Sequence, residues 1–404
     1  MKQIEVEKGS DTGGIWQVFG IFLRLGLTAF GGPIAHLGYF REEFVVRRRW
    51  LSERSYADLV ALCQFLPGPA SSQVGIALGL SRKGYLGALA AWAGFTLPSA
   101  AILIAFALLL KTYDTQMPSG VVHGLKIVAV AVVAQAVLGM AKNLKAGLGQ
   151  IIILAIATGI ALLISTAIGQ LGIITTAALV GLIAFKPDLI SEHEALPVHI
   201  NHSTGIFFLW LFFGFLFGLP FLVEYSTSQI IYDINAFYRS GSLVFGGGHV
   251  VLPLLQASVV PQGLVDNSTF LAGYGMAQAI PGPLFTFAAF LGASMNTPPS
   301  GWLGGFICLI AIFTPSFLLV MGALPFWERL RSNQKTQSAL LGINAAVVGI
   351  LLAAFINPVL TSSITEIKDI VIAGIAFIAL TWWKVPPWIV VIVCGFAGFL
   401  ETLI

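Results

Sequence analysis

Charge is what this chain has least of. Only 10% of its 404 residues are Asp, Glu, Lys or Arg, against about 25% in a soluble domain. Some 57% are hydrophobic and the mean hydropathy is +0.90. That shortage excludes a water-soluble fold and implies an integral membrane protein. A net charge of +3 is too small to suggest a nucleic-acid partner. Cysteine is nearly absent too: Cys63, Cys308 and Cys394 lie far apart, excluding a disulfide framework or a zinc site. The apolar segments hold no paired carboxylates, no histidine pair at metal spacing and no activated serine constellation. An intramembrane enzyme therefore has no support, and neither metal nor cofactor is expected. The loop Gly-x4-Gly-Lys-Ser/Thr is missing, which argues against direct ATP drive. No basic-then-apolar segment with a small-residue cleavage site follows Met1–Gly14, so no cleaved signal peptide is read.

What is present is a motif that occurs twice. Phe22-Leu-Arg24-Leu-Gly26, Phe30-Gly31-Gly32 and Gln64-Phe-Leu-Pro67-Gly68-Pro69 return as Phe237-Tyr-Arg239-Ser-Gly241, Phe245-Gly246-Gly247 and Gln278-Ala-Ile-Pro281-Gly282-Pro283. The offset is 215 from Phe22, Arg24 and Phe30 to their counterparts, and 214 from Gln64 and the first proline. Farther on, Phe95-Thr-Leu-Pro-Ser99 is echoed by Phe313-Thr-Pro-Ser316. An internal repeat fixes the architecture before any single element is assigned.

The apolar arms beside the motifs are short. Ile15–Phe30 reaches about 24 Å at helical rise, less than the roughly 20 residues a span needs. Gly31-Gly32-Pro33 stops it, since glycine removes helix propensity and proline can open the next helix. Arms of this kind read as half-helices of re-entrant hairpins, tolerated only against protein or a watery cavity. The expected fold is thus an all-α integral membrane protein with two inverted homologous repeats. Each repeat has two broken helical hairpins and about four transmembrane helices. The expected divisions are a cytoplasmic tail at 1–14, a first repeat at 15–185, a connector with a linking span at 186–228, and a second repeat at 229–404.

Inversion is read from charge. The loops around Arg47–Arg49 and Arg82-Lys83 are basic, whereas their counterparts, Gln256–Thr269 and Asn296–Gly301, contain no Lys or Arg. Later loops swap the pattern, with Arg329, Arg331 and Lys335 in the second half. Lys and Arg collect on the cytoplasmic side, so equivalent loops lie on opposite faces, with the amino terminus inside. Inverted repeats whose broken helices meet near the midplane are a transporter design.

Arg24 lies about nine residues into its arm, or about 14 Å deep, and Arg239 matches it from the other face. Snorkelling to the headgroups is one reading of each. The other is that both face one central volume, where a guanidinium fork suits a tetrahedral oxyanion. Few acids lie deep enough to neutralise them, Asp233 being the nearest in sequence to Arg239, and this favours a mobile anion. Gly31, Gly32, Gly246 and Gly247, with Pro67-Gly68-Pro69 and Pro281-Gly282-Pro283, permit tight turns. Each break also starts a half-helix whose free N–H groups attract negative charge. Ser71, Ser72 and Thr286 follow in the first turns, either as caps or as oxyanion donors, capping being favoured for Ser71. Gln64 and Gln278 either bridge arm to arm or contact the substrate. His36, His123 and His249 read as hydrogen-bonded core residues, and His193, His199 and His202 as part of a solvated linker.

At these motifs, above all Gly26-Leu-Thr-Ala-Phe-Gly-Gly-Pro33-Ile-Ala-His36-Leu-Gly38 and Gln64-Phe-Leu-Pro-Gly-Pro69-Ala-Ser-Ser-Gln73, the chain resembles the chromate ion transporter family in its long, two-domain form. The resemblance runs over nearly the whole chain from Trp16. It implies export of chromate from the cytoplasm across the inner membrane, driven by the proton gradient or membrane potential. Sulfate is the related anion, and a sulfate carrier or an anion channel are the alternatives. Residue chemistry alone reaches only a transporter for a small tetrahedral oxyanion. The expected partners are that anion and membrane lipid, with a homodimer allowed but not required.

Overall fold

A computed structural model describes residues 14–112, 119–144, 147–164, 166–186, 200–331 and 333–401. The tail at 1–13 and the linker segment with His193 and His199 lie outside the described residues. Every regular element among those described is helical.

In the first half, α1 (Ile15–Thr28) and α2 (Gly32–Arg41) flank the glycine pair, and a π-helical turn runs on from Glu42 to Arg47. Next come α3 (Glu53–Phe65), capped by Ser52, and α4 (Ala70–Thr112). Then follow α5 (Ser119–Asn143), α6 (Leu148–Leu163) and α7 (Ala167–Ala184). The linking helix α8 (His202–Tyr225) leads into the second half. There α9 (Gln229–Leu243) and α10 (Val251–Val259) flank the second glycine pair, followed by α11 (Asn267–Ala279), capped by Asp266, and α12 (Phe287–Ser294). The chain continues through α13 (Gly301–Ala323), the short α14 (Trp327–Arg331) and α15 (Gln334–Ala354). A π-helical stretch and one turn, α16 (Thr361–Ser363), precede α17 (Ile367–Thr381) and α18 (Pro387–Glu401).

α4 holds two helical parts, the second arm of the second hairpin and the long apolar segment after it, parted by non-helical backbone at Lys83 and Gly84. A glycine at φ +63° and ψ −154° takes the chain out of helical geometry there. At the corresponding place in the second half Pro298-Pro299 lack amide hydrogens, so α12 stops and α13 begins afresh. The apolar helices differ in length. Five helical stretches are long and apolar enough to cross a membrane, within α4, α5, α8, α13 and the α15–α16 segment. In contrast α6, α17 and α18 have only 16, 15 and 15 residues.

The two halves do not own separate cores. One apolar cluster joins Val18–Phe95 residues to Phe212, Tyr238 and Leu318–Trp327; the other joins Leu103, Val128 and Ala157 to Phe237, Phe290 and Val347. Small residues set the contacts, as membrane helices require when no hydrophobic force drives them together. A Cβ on Gly26 would lie 2.7 Å from Gly94 O, holding α1 against α4. Its counterpart Gly241 stands closer still to Ile312 O, holding α9 against α13.

Candidate anion site at the crossing of the broken helices

Every glycine of the four breaks has a conformation that a side chain disfavours. Gly31, Gly32, Gly68, Gly246, Gly247 and Gly282 have φ of +97°, +75°, +121°, +75°, +152° and +98°. These are left-handed or more extreme values that L-residues rarely adopt.

The breaks also hold one another. Gly68 N donates to Val244 O at 2.7 Å, and Gly282 N donates to Ala29 O at 2.9 Å. Ala29 and Val244 are themselves a repeat pair, so each Pro-Gly-Pro turn is tied to the glycine break of the other half. Around the turns the halves differ. Ser99 Oγ donates to Pro281 O, whereas Pro67 O accepts from Gln73 Nε2 at 2.7 Å. Ser316, the counterpart of Ser99, lies beside Gly68, 3.0 Å from where a Cβ would stand, and its buried hydroxyl has no partner. Buried Ser72 Oγ, Gln73 Oε1, Thr96 Oγ1 and Gln278 Nε2 are also unpartnered. Buried polar atoms normally find a partner, and of these Ser316 and Gln73 both stand against Gly68.

The expected site residues separate into groups. Pro67-Gly68-Pro69 and Pro281-Gly282-Pro283 meet the glycine pairs at the crossing, with Ser72 and Gln278 unpartnered nearby in the chain. Thr286 Oγ1 donates to Pro283 O at 2.7 Å, tightening its own turn. Ser71, expected to cap, instead meets His36 Nδ1 at 3.4 Å, and His36 Nε2 lies 3.1 Å from Ala29 O. His123 and His249 are likewise engaged, by Asp369 at 2.9 Å and Tyr274 at 2.7 Å. Gln64 is exposed and has no hydrogen-bond partner among the described residues.

The arginines depart from expectation. Arg24 is not without a fixed partner: its Nη2 lies 2.5 Å from Glu43 Oε2, a carboxylate only 5% exposed. Arg47 and Arg48 hold the same carboxylate at 3.1 and 2.7 Å. Arg239 lines a cavity that none of these residues touches, so the two guanidiniums do not share one volume. Asp233 does not pair with Arg239 either; it accepts from Gln229 Nε2 at 2.7 Å. Glu43 stands 19 residues beyond Arg24, and only folding of the hairpin reveals the pair. Gln73, Ser99 and Ser316 were visible in the motifs, but their place at the crossing comes from the other half of the chain.

Fold and site together define a multi-pass, all-helical membrane protein of two homologous halves whose broken helices interlock. The chain belongs to the chromate transporter family, whose sequence profile matches residues 16–182 and 234–399, once in each half. A chromate transport protein of Pseudomonas aeruginosa is 27% identical over 395 residues, covering 95% of this chain and 92% of its own. An uncharacterized transporter of Methanocaldococcus jannaschii is 28% identical over 361 residues, or 88% of this chain and 87% of its own. A shorter uncharacterized transporter of Bacillus subtilis is 32% identical over 172 residues, which is 42% of this chain but 94% of that protein. No solved structure matches the chain.

Proposed function

We propose that this protein is a secondary active transporter that exports chromate, with sulfate as a competing anion, across the inner membrane. Its coupling is to the proton gradient or the membrane potential. The observation that carries the reading is the reciprocal pair of bonds, Gly68 N to Val244 O and Gly282 N to Ala29 O. They tie each Pro-Gly-Pro turn to the glycine break of the other half, with the unpartnered Ser316 Oγ and Gln73 Oε1 of opposite halves beside Gly68. A tetrahedral oxyanion could exchange its water for such donors and for the half-helix amino ends. Gly31, Gly32, Gly246 and Gly247 keep the backbone open there, Ser72, Gln278 and Ser316 offer contacts, and Arg24 anchors its hairpin through Glu43. Family membership names chromate; the residue chemistry supports only the wider oxyanion class. Uptake of chromate by inverted vesicles should fall when sulfate is added and rise with an imposed proton gradient. Uptake indifferent to both would remove the reading.

The halves are proposed to be inverted, with the amino terminus in the cytoplasm. A two-fold axis in the membrane plane would generate reciprocal bonds of this kind and would put equivalent loops on opposite faces. Glu42 and Ser268 are exposed at the loops that join the first and second hairpins of the two halves, while the native cysteines are buried and give little background. Glu42→Cys should be labelled by an impermeant thiol reagent only from the cytoplasm, and Ser268→Cys only from outside. Labelling of both from one side would exclude inversion.

A further inference from the structure

The two repeats solve the same electrostatic problem differently. In the first, the arginine of the Phe-x-Arg-x-Gly motif is neutralised from within. Arg24 on α1 reaches Glu43 in the turn after α2, and that carboxylate is also held by Arg47 and Arg48. At the offset of 215 the acid becomes Ser258, Arg47 becomes Gln262 and Arg48 becomes Gly263, while the motif arginine remains as Arg239. The register is structural as well as sequential. Phe44 and Val259, one residue beyond the acid and its replacement, are both fully buried. Each also accepts through its carbonyl from the following loop, Phe44 from Trp50 and Val259 from Leu264.

Where the carboxylate is missing there is a cavity of about 360 Å³. Arg239 lines it together with Asn235, Tyr232, Ser258, Gln262 and Thr166, and no acidic residue does. Arg239 has no ion-pair or hydrogen-bond partner among the described residues, and its residue is only partly exposed. A guanidinium withdrawn from water without a counter-charge is costly. Its planar fork presents two parallel N–H groups to any oxyanion that enters. Asn235 and Gln262 add amides and Thr166 a hydroxyl able to donate, while the Ser258 hydroxyl donates to Leu254 O at 2.9 Å.

We propose that this cavity binds a small inorganic oxyanion on Arg239, in the place that the Glu43 carboxylate fills in the first half. The anion ties α9 to α10 as Glu43 ties α1 to the turn after α2, but it is exchangeable where Glu43 is fixed. This site is separate from the crossing of the breaks, and it stands whichever anion the protein carries.

The test uses the purified full chain in detergent, with sulfate as the probe. Thermal unfolding is followed with rising sulfate, at ionic strength matched by a bulky organic sulfonate. For the wild type, sulfate at ten times its dissociation constant should raise the midpoint by about 2 °C. Arg239→Gln should lose that shift. Ser258→Glu supplies the missing carboxylate, so its midpoint without sulfate should equal or exceed the wild-type value, and added sulfate should do nothing. If Arg239→Gln does not fold, Ser258→Glu carries the comparison alone. A sulfate shift that persists in Ser258→Glu would overturn the site. So would a wild type indifferent to sulfate but stabilised through Arg239 by added anionic phospholipid, since the cavity would then hold a lipid headgroup. Because binding is read without transport, failure here leaves the carrier reading to its own vesicle experiment.

Discussion

Replacing Gly282 by valine is expected to bring chromate uptake down to background while much of the protein still reaches the membrane. At φ +98° any L-residue pays for a left-handed backbone, which costs about 1–2 kcal/mol. Space is also lacking. A Cβ there would collide with Ser99 Oγ and approach Phe95 O to 3.2 Å. Relief of that clash must pull Gly282 N away from Ala29 O and so open the junction between the halves. Gly68→Val should behave alike, since its Cβ would lie 2.8 Å from Gln73 Nε2 and 3.0 Å from Ser316 Oγ. Gly84→Ala is the control: φ is also positive, at +63°, but nothing lies within 4 Å of the new Cβ. It should retain most of the flux. Uptake is measured in vesicles with membrane abundance determined in parallel. Normal flux at normal abundance in both valine variants would place the transport path elsewhere.

Glu43→Gln is expected to be the most damaging single change in the charged loop. The carboxylate is buried while the Arg24, Arg47 and Arg48 side chains are 51%, 58% and 31% exposed. Loss of the acid leaves three cations close together with no counter-charge, whereas loss of any one arginine leaves two. Breaking a fully buried pair costs about 3–5 kcal/mol; with arginines this exposed, screening lowers the expectation to about 1–3 kcal/mol. Arg24→Gln should cost less, because Glu43 keeps Arg47 and Arg48. The effect should depend on pH. Burial pushes the Glu43 carboxyl up, but the hydrogen bond from Arg48 and the charges of Arg24, Arg48 and Arg47 outweigh it and hold the group below the ordinary carboxylate range. A carboxyl depressed on folding stabilises the protein fully above its unfolded value, near 4.3, and loses that contribution as pH falls through the folded value. The gap in unfolding midpoint between wild type and Glu43→Gln should therefore be largest at neutral pH and close on acidification below about 4. A gap that stays constant down to pH 3 would show that the cluster contributes through packing rather than charge.

Much of this protein is legible along the chain because the relevant signals are local. Gly31, Gly32, Gly68, Gly246, Gly247 and Gly282 all have positive φ, and a helix-breaking glycine inside apolar sequence has few other uses. The short arms and the linking helix likewise follow from neighbouring residues. Misreadings arose where two similar local sequences met different surroundings. Arg24 and Arg239 occupy equivalent positions in the repeat, yet one is paired and the other faces a cavity.

The sequence by itself determined that the chain is a helical membrane protein, that it is built twice from one plan, and where each plan is broken. Low charge, periodic hydrophobicity and glycine conformation depend on each residue and its near neighbours, so no partner from afar is needed to read them. Only the tertiary structure decided that each Pro-Gly-Pro turn is bound by the other half, and that the Glu43 carboxylate answers Arg24 while Ser258 leaves Arg239 open. Those outcomes depend on groups between 19 and 253 positions apart in the chain, from Arg24–Glu43 to Ala29–Gly282. Hydrogen bonds and ion pairs act over a few ångströms, and which distant groups come within that range is set by packing.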